Sequence, residues 1–420
     1  MIASPTADSR RLTFAASRLP GAAVTSGVTV MLMYLFGPVP LYLATARVFS
    51  TPAQLTSGFF VAFLTAGAVT IALSVRYRQP LAIGWSGPGL VYMAAMASQY
   101  GVGHFAGATL FAGVAMVVLA ATGLAERLAR ALPVPVVLAV FAGSSLHFCT
   151  AGVGGIQAEP LAAGALTLGF FVARKRPNRF LPPVAAGCML GLLALIAQGE
   201  FRPAALDAGI PAVELVRPVF DLSAIVAVGL PLLLLAVGLQ NMQGFGGLRA
   251  AGYEPPFRLM TAVMGGVSLV HASVGAPPSG MQTTPLFVLA GESSGPKASR
   301  WQAAVVASIG CLAIAAGAVT VASFVGALPM GFIAATVGII LLAAVFDSLR
   351  SALNGPMAFP AFVAFVVAAS DLSIAGMGAP LWALVIGAVA TAKLPSLQWG
   401  PGSSTGGDTG GGVSLRPGAG

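Results

Sequence analysis

Gly84-Trp85-Ser86-Gly87-Pro88-Gly89 and Gly275-Ala276-Pro277-Pro278-Ser279-Gly280-Met281-Gln282-Thr283-Thr284-Pro285 are the two stretches on which the architecture turns. Each lies inside an apolar run free of charge, and each puts helix-breaking Gly and Pro where a membrane helix tolerates them least. An unsatisfied backbone group in hydrocarbon costs several kcal/mol, so broken backbone survives there only when it is buried in protein or lines a polar cavity. A matched pair of Gly/Pro-interrupted segments points to the substrate site of a secondary transporter.

Composition sets the class. Of 420 residues, 57% are hydrophobic and 8% charged, with a mean hydropathy of +0.90; soluble domains carry about 25% charged residues. The chain reads as a polytopic, all-α membrane protein. Its net charge of +9 comes from basic residues scattered singly or in small groups between apolar runs. That distribution marks membrane topology and excludes a nucleic-acid partner. Cys149, Cys188 and Cys311 have no paired spacing, so neither a disulfide framework nor a metal site is expected, and no cofactor is implied. The first apolar run, about 20 to 43, exceeds the roughly 7 to 15 residues of a signal-peptide core and is kept as a span.

Further apolar runs fall near 53–75, 104–124, 132–150, 159–173, 180–198, 222–243, 256–272, 301–323, 328–348, 356–370 and 375–392. With the two broken segments, near 79–99 and 274–291, the expected total is fourteen spans. If the N-terminus is cytoplasmic, eighteen of the 21 basic residues lie inside and only Arg47, Arg202 and Arg217 outside, as the positive-inside rule requires. The chain also repeats at an offset of 196: Ala131-Leu132-Pro133 matches Ala327-Leu328-Pro329, and Gly84 matches Gly280. Two halves of seven spans, an odd number, must enter the membrane from opposite sides, which makes an inverted repeat. The expected division is a cytoplasmic tail over 1–19, a first repeat over 20–198, an extracytoplasmic linker over 199–221, a second repeat over 222–393, and a disordered Gly/Ser-rich cytoplasmic tail over 394–420.

After the breaks, the helical remainders run from about Gly87 to Ser98 and from Gln282 to Gly291. They are roughly 15 to 18 Å long, half the bilayer core. Segments 3 and 10 are therefore expected to be half-helices whose N-termini meet at the midplane. There they present free N–H groups and partial positive charge to an anion or to the carbonyls of a polar ring. Candidate ligand groups are Ser86, Ser279, Gln282 and Thr283, with Trp85 as a flat apolar wall. Gly87 and Gly280 are expected to allow close approach. The first span of each half adds Tyr34, beside Gly37-Pro38, and the amides Gln240 and Asn241. The proton carrier stays open among Glu292, Asp347 and Asp371 near span ends, His147 and His271, and an acidic substrate carrying its own proton.

Several stretches resemble the benzoate/proton symporter family of bacterial inner membranes: Thr51-Pro52-Ala53-Gln54-Leu55, Ser74-Val75-Arg76-Tyr77-Arg78-Gln79-Pro80, Trp85-Ser86-Gly87-Pro88-Gly89, and Gln240-Asn241 followed by Leu248-Arg249-Ala250-Ala251-Gly252-Tyr253. The resemblance covers about residues 20 to 393. That family is similar to the nucleobase, bicarbonate and sulfate permeases. The likeness implies a seven-plus-seven fold, with a core domain from spans 1–4 and 8–11, and a gate domain from spans 5–7 and 12–14 through which a homodimer forms. Two departures stand out. Gly275-Ala276-Pro277-Pro278 occurs where family members often carry Gly-Gly-His, and Gln240 lies where nucleobase permeases use an acidic residue.

The resulting expectation is a secondary transporter that imports a small organic anion, benzoate or a similar aromatic carboxylate, with protons by alternating access. The rivals are an inorganic-anion or nucleobase permease or exchanger on the same fold, and an anion channel. An enzyme would need a cluster of His, Cys or carboxylates within the spans, and the sequence offers none.

Overall fold

The structure, a computed structural model, describes residues 20–131, 133–176, 181–201, 209–370, 372–374 and 377–393. The expected tails, Arg202 and Asp371 lie outside these residues.

The first half of the described chain contains α1 (Gly21–Phe36), α2 (Pro38–Ala46), α3 (Pro52–Tyr77), β1 (Ile83–Trp85), α4 (Gly87–Ala95), α5 (Val102–Thr122), α6 (Ala125–Ala131), α7 (Val134–Ala158), α8 (Pro160–Lys175) and α9 (Pro183–Gln198). Local chemistry sets the ends of these helices. Thr51 and Gln54 form a reciprocal capping box with Pro52 at the first helical position of α3, and α5 stops at Gly123 with φ +74°, a conformation glycine adopts without a Cβ penalty.

The next run is continuous from α10 (Leu222–Ala224) through a π segment (Ile225–Gly229), α11 (Leu230–Leu234), a second π segment (Leu235–Asn241) and α12 (Met242–Ala250). Pro231 has no N–H for the carbonyl four residues back, that of Ala227, and its ring crowds that group. The Tyr92 hydroxyl of α4 donates to the Ala227 oxygen at 2.7 Å instead. The freed carbonyl thus ties the short helix α4 to this run.

The rest comprises α13 (Phe257–Ala272), β2 (Ser279–Met281), α14 (Thr283–Ala290), α15 (Trp301–Ala316), α16 (Ala318–Gly326), α17 (Met330–Ala352), α18 (Ala358–Ala368), the strand pair β3 (Ser373–Ile374) and β4 (Met377–Gly378), and α19 (Ala379–Lys393). Seven of the described helical runs are long and apolar enough to cross a membrane.

Packing joins distant parts of the sequence. Helix α3 packs on α15, α5 on α13, and α7 on α17. Small residues bring the backbones close, as between membrane helices generally. A Cβ on Gly152 would lie 2.7 Å from the Gly338 Cα, and a Cβ on Gly113 would lie 3.0 Å from the Gly265 oxygen. Before α10, residues 209–221 run extended and are pinned across three helices. Ser57 Oγ of α3 accepts from the Glu214 N–H at 2.9 Å, Val216 N donates to the Ser273 oxygen, and Val219 N to the Gly103 oxygen.

Three expectations need correction. The chain is not all-α, because β1 and β2 pair antiparallel: the two Gly/Pro breaks satisfy their backbone groups on each other. The helical remainders are shorter than expected, ending at Ala95 and Ala290. The apolar run 301–323 is not one helix either, because it breaks at Gly317 between α15 and α16.

Candidate substrate-binding site

The site is organised by the β1–β2 ladder. Ile83 pairs with Met281, Gly84 with Gly280, and Trp85 with Ser279. The ladder is extended at both ends, where Ser86 N donates to the Pro278 oxygen at 2.7 Å and Gln282 N to the Ala82 oxygen at 2.8 Å. Helices α4 and α14 start immediately beyond it, so two strands crossing antiparallel deliver two helix N-termini to one place.

The two tips are chemically unequal. At α4, the buried Ser86 side chain accepts from Gly89 N at 2.9 Å, and Pro88 has no N–H. Gly87 alone of its first three residues keeps a free N–H. At α14 no side chain caps the helix, and Pro285 is the residue without an N–H. Thr283 and Thr284 are left with open N–H groups and hydroxyls. Unpaired N–H groups at a helix N-terminus favour an anion, and most of that capacity belongs to α14.

A cavity of about 500 Å³ lies over these tips, lined by Tyr34, Gly87, Gln240, Gln282, Thr283 and Thr284 on one side and by residues of α7, α9 and α17 on the other. The structure therefore brings Tyr34, Gly87, Gln240, Gln282 and Thr283 to one cavity wall. Gln240 is only 6% exposed, and its Oε1 has no hydrogen-bond partner among the described residues. Leaving such a group dry costs about 1 to 3 kcal/mol.

The remaining candidates stand behind that wall. Trp85 is 4% exposed and packs edge-on to Tyr42, with ring centroids 5.0 Å apart, and against Phe63. Ser279 Oγ donates to the Gly84 oxygen at 3.0 Å, and its own N–H goes to Ser268 Oγ at 2.8 Å. Asn241 Oδ1 accepts from Met281 N at 3.2 Å, which fastens the π segment to β2. Gly280 leaves room for Gln240, whose Oε1 would lie 2.9 Å from a Cβ there. Gln282 has two functions, since its Nε2 donates to the Trp85 oxygen while the residue lines the cavity.

His271 is fully buried, with Nδ1 donating to the Pro277 oxygen at 2.7 Å and Nε2 against Thr65 Oγ1 at 2.8 Å. Both nitrogens are occupied in holding the second break to α3. Sequence reasoning missed Thr284 and Gln243 as cavity residues. Thr284 was legible as the second exposed donor of an uncapped helix, whereas Gln243 follows from the path of α12. The basic residues also do more than set topology. Arg300 Nη1 donates to the Ala290 oxygen at 2.6 Å and caps α14, and Arg258 Nε donates to the Ala120 oxygen at 3.0 Å near the end of α5.

The chain is 27% identical over 379 residues to the inner membrane protein YdcO of Escherichia coli K12, covering 88% of this chain and 95% of that protein. It is 22% identical over 389 residues to the benzoate membrane transport protein of Acinetobacter baylyi, covering 88% and 94%. Among solved structures it resembles the transmembrane domain of the cyanobacterial bicarbonate transporter BicA, with a TM-score of 0.59 at 16% identity, covering 89% of this chain and 96% of that one. It also resembles SLC26A9, with a TM-score of 0.61 at 10% identity, covering 88% of this chain and 64% of that one. These structural likenesses establish a shared fold. The model of the benzoate membrane transport protein family, BenE, matches residues 17–393, and the chain belongs to that family of membrane transporters.

Proposed function

We propose that the chain imports a small organic anion, an aromatic carboxylate such as benzoate, together with protons by alternating access. The observation that carries this reading is the convergence of the α4 and α14 N-termini on a cavity of about 500 Å³ in a member of the benzoate transport family. That volume falls within the roughly 300 to 1,000 Å³ usual for small-molecule sites. The carboxylate would accept from the N–H groups of Thr283, Thr284 and Gly87, and the ring would lie on the apolar wall near Tyr34 and Phe141.

The same reading includes fourteen segments in an inverted repeat, with α4 and α14 as half-helices at the midplane. It is supported by the reciprocal packing of α3 on α15 and α13 on α5. The elements from α1 to α5 and α10 to α16 would form the core domain, and α7 to α9 with α17 to α19 the gate, through which a homodimer would form. The cavity follows the seam between these sets. It is lined by Gln243 at the start of α12, by Asp347, Ser348 and Ser351 toward the end of α17, and by Pro182 and Val184 at the start of α9, and Arg350 marks that end of α17. With that end cytoplasmic, together with both termini, the conformation is inward-facing in a bacterial inner membrane. Substrate and proton drive the cycle only by binding its states unequally.

The deciding experiment is radiolabelled benzoate uptake by proteoliposomes under an imposed pH gradient. The proposal expects saturable accumulation that collapses with a protonophore and supports counterflow. The fold shared with BicA favours one rival, an inorganic-anion permease; displacement by bicarbonate or sulfate but not by benzoate would establish it. Non-saturating flux without counterflow would indicate a channel.

A further inference from the structure

The chain has 21 basic residues against 12 acidic ones, yet among the described residues no Lys, Arg or His lines the cavity. Among the described residues its one charged lining side chain is Asp347, toward the end of α17. Asp347 is exposed, and Ser348 and Ser351 line the cavity beside it. Arg350 is also exposed but is not a lining residue. A ligand seated on α14 therefore meets attraction from neutral dipoles at the helix tip and repulsion from a carboxylate in the lining of the same cavity.

These forces scale differently with ligand charge. Each N–H serves one oxygen, so the number of dipole contacts saturates with the first anionic group. The Coulomb repulsion from Asp347 grows with every added charge and, because the residue is exposed, is screened by salt. We propose that Asp347 is a charge-selectivity residue, which makes the site favour monoanions over dianions of similar shape. This inference rests on the anion-transport reading and specifies which anions the site takes.

Over a separation on the order of 10 Å, one fixed charge should change affinity by about two- to fivefold per unit of ligand charge. The test compares inhibition constants for benzoate and its dianionic ortho-carboxylate, phthalate, in the wild-type protein, Asp347→Asn and Asp347→Glu. Steric differences between the two ligands cancel in the comparison of variants. The phthalate-to-benzoate ratio of inhibition constants should fall by about two- to fivefold in Asp347→Asn and stay at the wild-type value in Asp347→Glu. In the wild-type protein alone it should fall as ionic strength rises, which decides the matter if the Asn variant does not fold. An unchanged ratio in Asp347→Asn, or a wild-type ratio indifferent to salt, overturns the proposal. Bicarbonate and sulfate form a parallel monoanion and dianion pair. If only these bind, the aromatic substrate is wrong and the role of Asp347 is read from them; if none of the four binds, both readings fall.

Discussion

The side-chain amide of Gln282 donates to the main-chain carbonyl of Trp85 and so bridges the two broken segments beside their ladder. The residue that opens α14 thereby holds the residue that precedes the cap of α4. Substrate contact and scaffold are built from the same side chain. Gln282→Ala should cost about 1 to 2 kcal/mol of stability from the lost hydrogen bond and lower uptake by more than the melting shift accounts for. Detergent-solubilised thermal melts and proteoliposome uptake measured on the same preparation check this.

Gly280→Ala tests the close approach of the π segment. The added Cβ would meet Gln240 Oε1 at 2.9 Å and Cδ at 3.3 Å, the mobile end of a side chain that can swing away. Stability should change little, while uptake should drop about tenfold as Gln240 leaves its position, the equivalent of about 1.4 kcal/mol in binding. Wild-type uptake in this variant would remove Gln240 from the site.

Ser86→Ala removes the cap of α4 without touching the uncapped tip of α14. A lost N-cap costs about 1 kcal/mol, so the melting temperature should fall while substrate affinity changes by less than it does in Gln282→Ala. A larger affinity loss in Ser86→Ala than in Gln282→Ala would reverse the assignment of the dominant tip. Thermal shift and competition assays separate the two effects.

Arg300→Ala frees the Ala290 and Gly295 carbonyls that its guanidinium satisfies at 2.6 and 2.8 Å. It also removes a cation from the negative end of α14. A loss of about 1 to 2 kcal/mol is expected, and Arg300→Lys should recover only part of it, because one ammonium does not reproduce the guanidinium fork. Chemical denaturation of the three proteins measures the difference.

Asp221 caps α10, accepting from the Ser223 hydroxyl and, at 3.2 Å, from Ser223 N. These bonds hold its carboxyl below the ordinary aspartate value. A depressed folded pKa contributes stability that is present above the unfolded value and is lost as pH falls through the folded one. Asp221→Asn should therefore flatten the acid limb of the melting temperature against pH, lying below wild type on the neutral plateau and meeting it at low pH. The difference should shrink in salt.

Much of this protein is written locally. Hydropathy places the membrane runs, because a bilayer imposes length and apolarity on each segment separately. Gly84 to Gly89 and Gly275 to Pro285 declare their breaks because Gly and Pro act on their own backbone. The amides at Gln240 and Asn241 are conspicuous for the same reason: a polar group in an apolar run needs a partner wherever it folds. Tertiary structure alone decided what those groups meet. It paired Gly84 with Gly280, sent Trp85 into an aromatic cluster instead of the cavity, and used Asn241 to hold Met281 while leaving Gln240 Oε1 unpartnered. It also brought Asp347 into the lining of the cavity that the helix tips share. These are contacts between segments tens to hundreds of residues apart, and their energies depend on distance and direction in space, which no local pattern encodes.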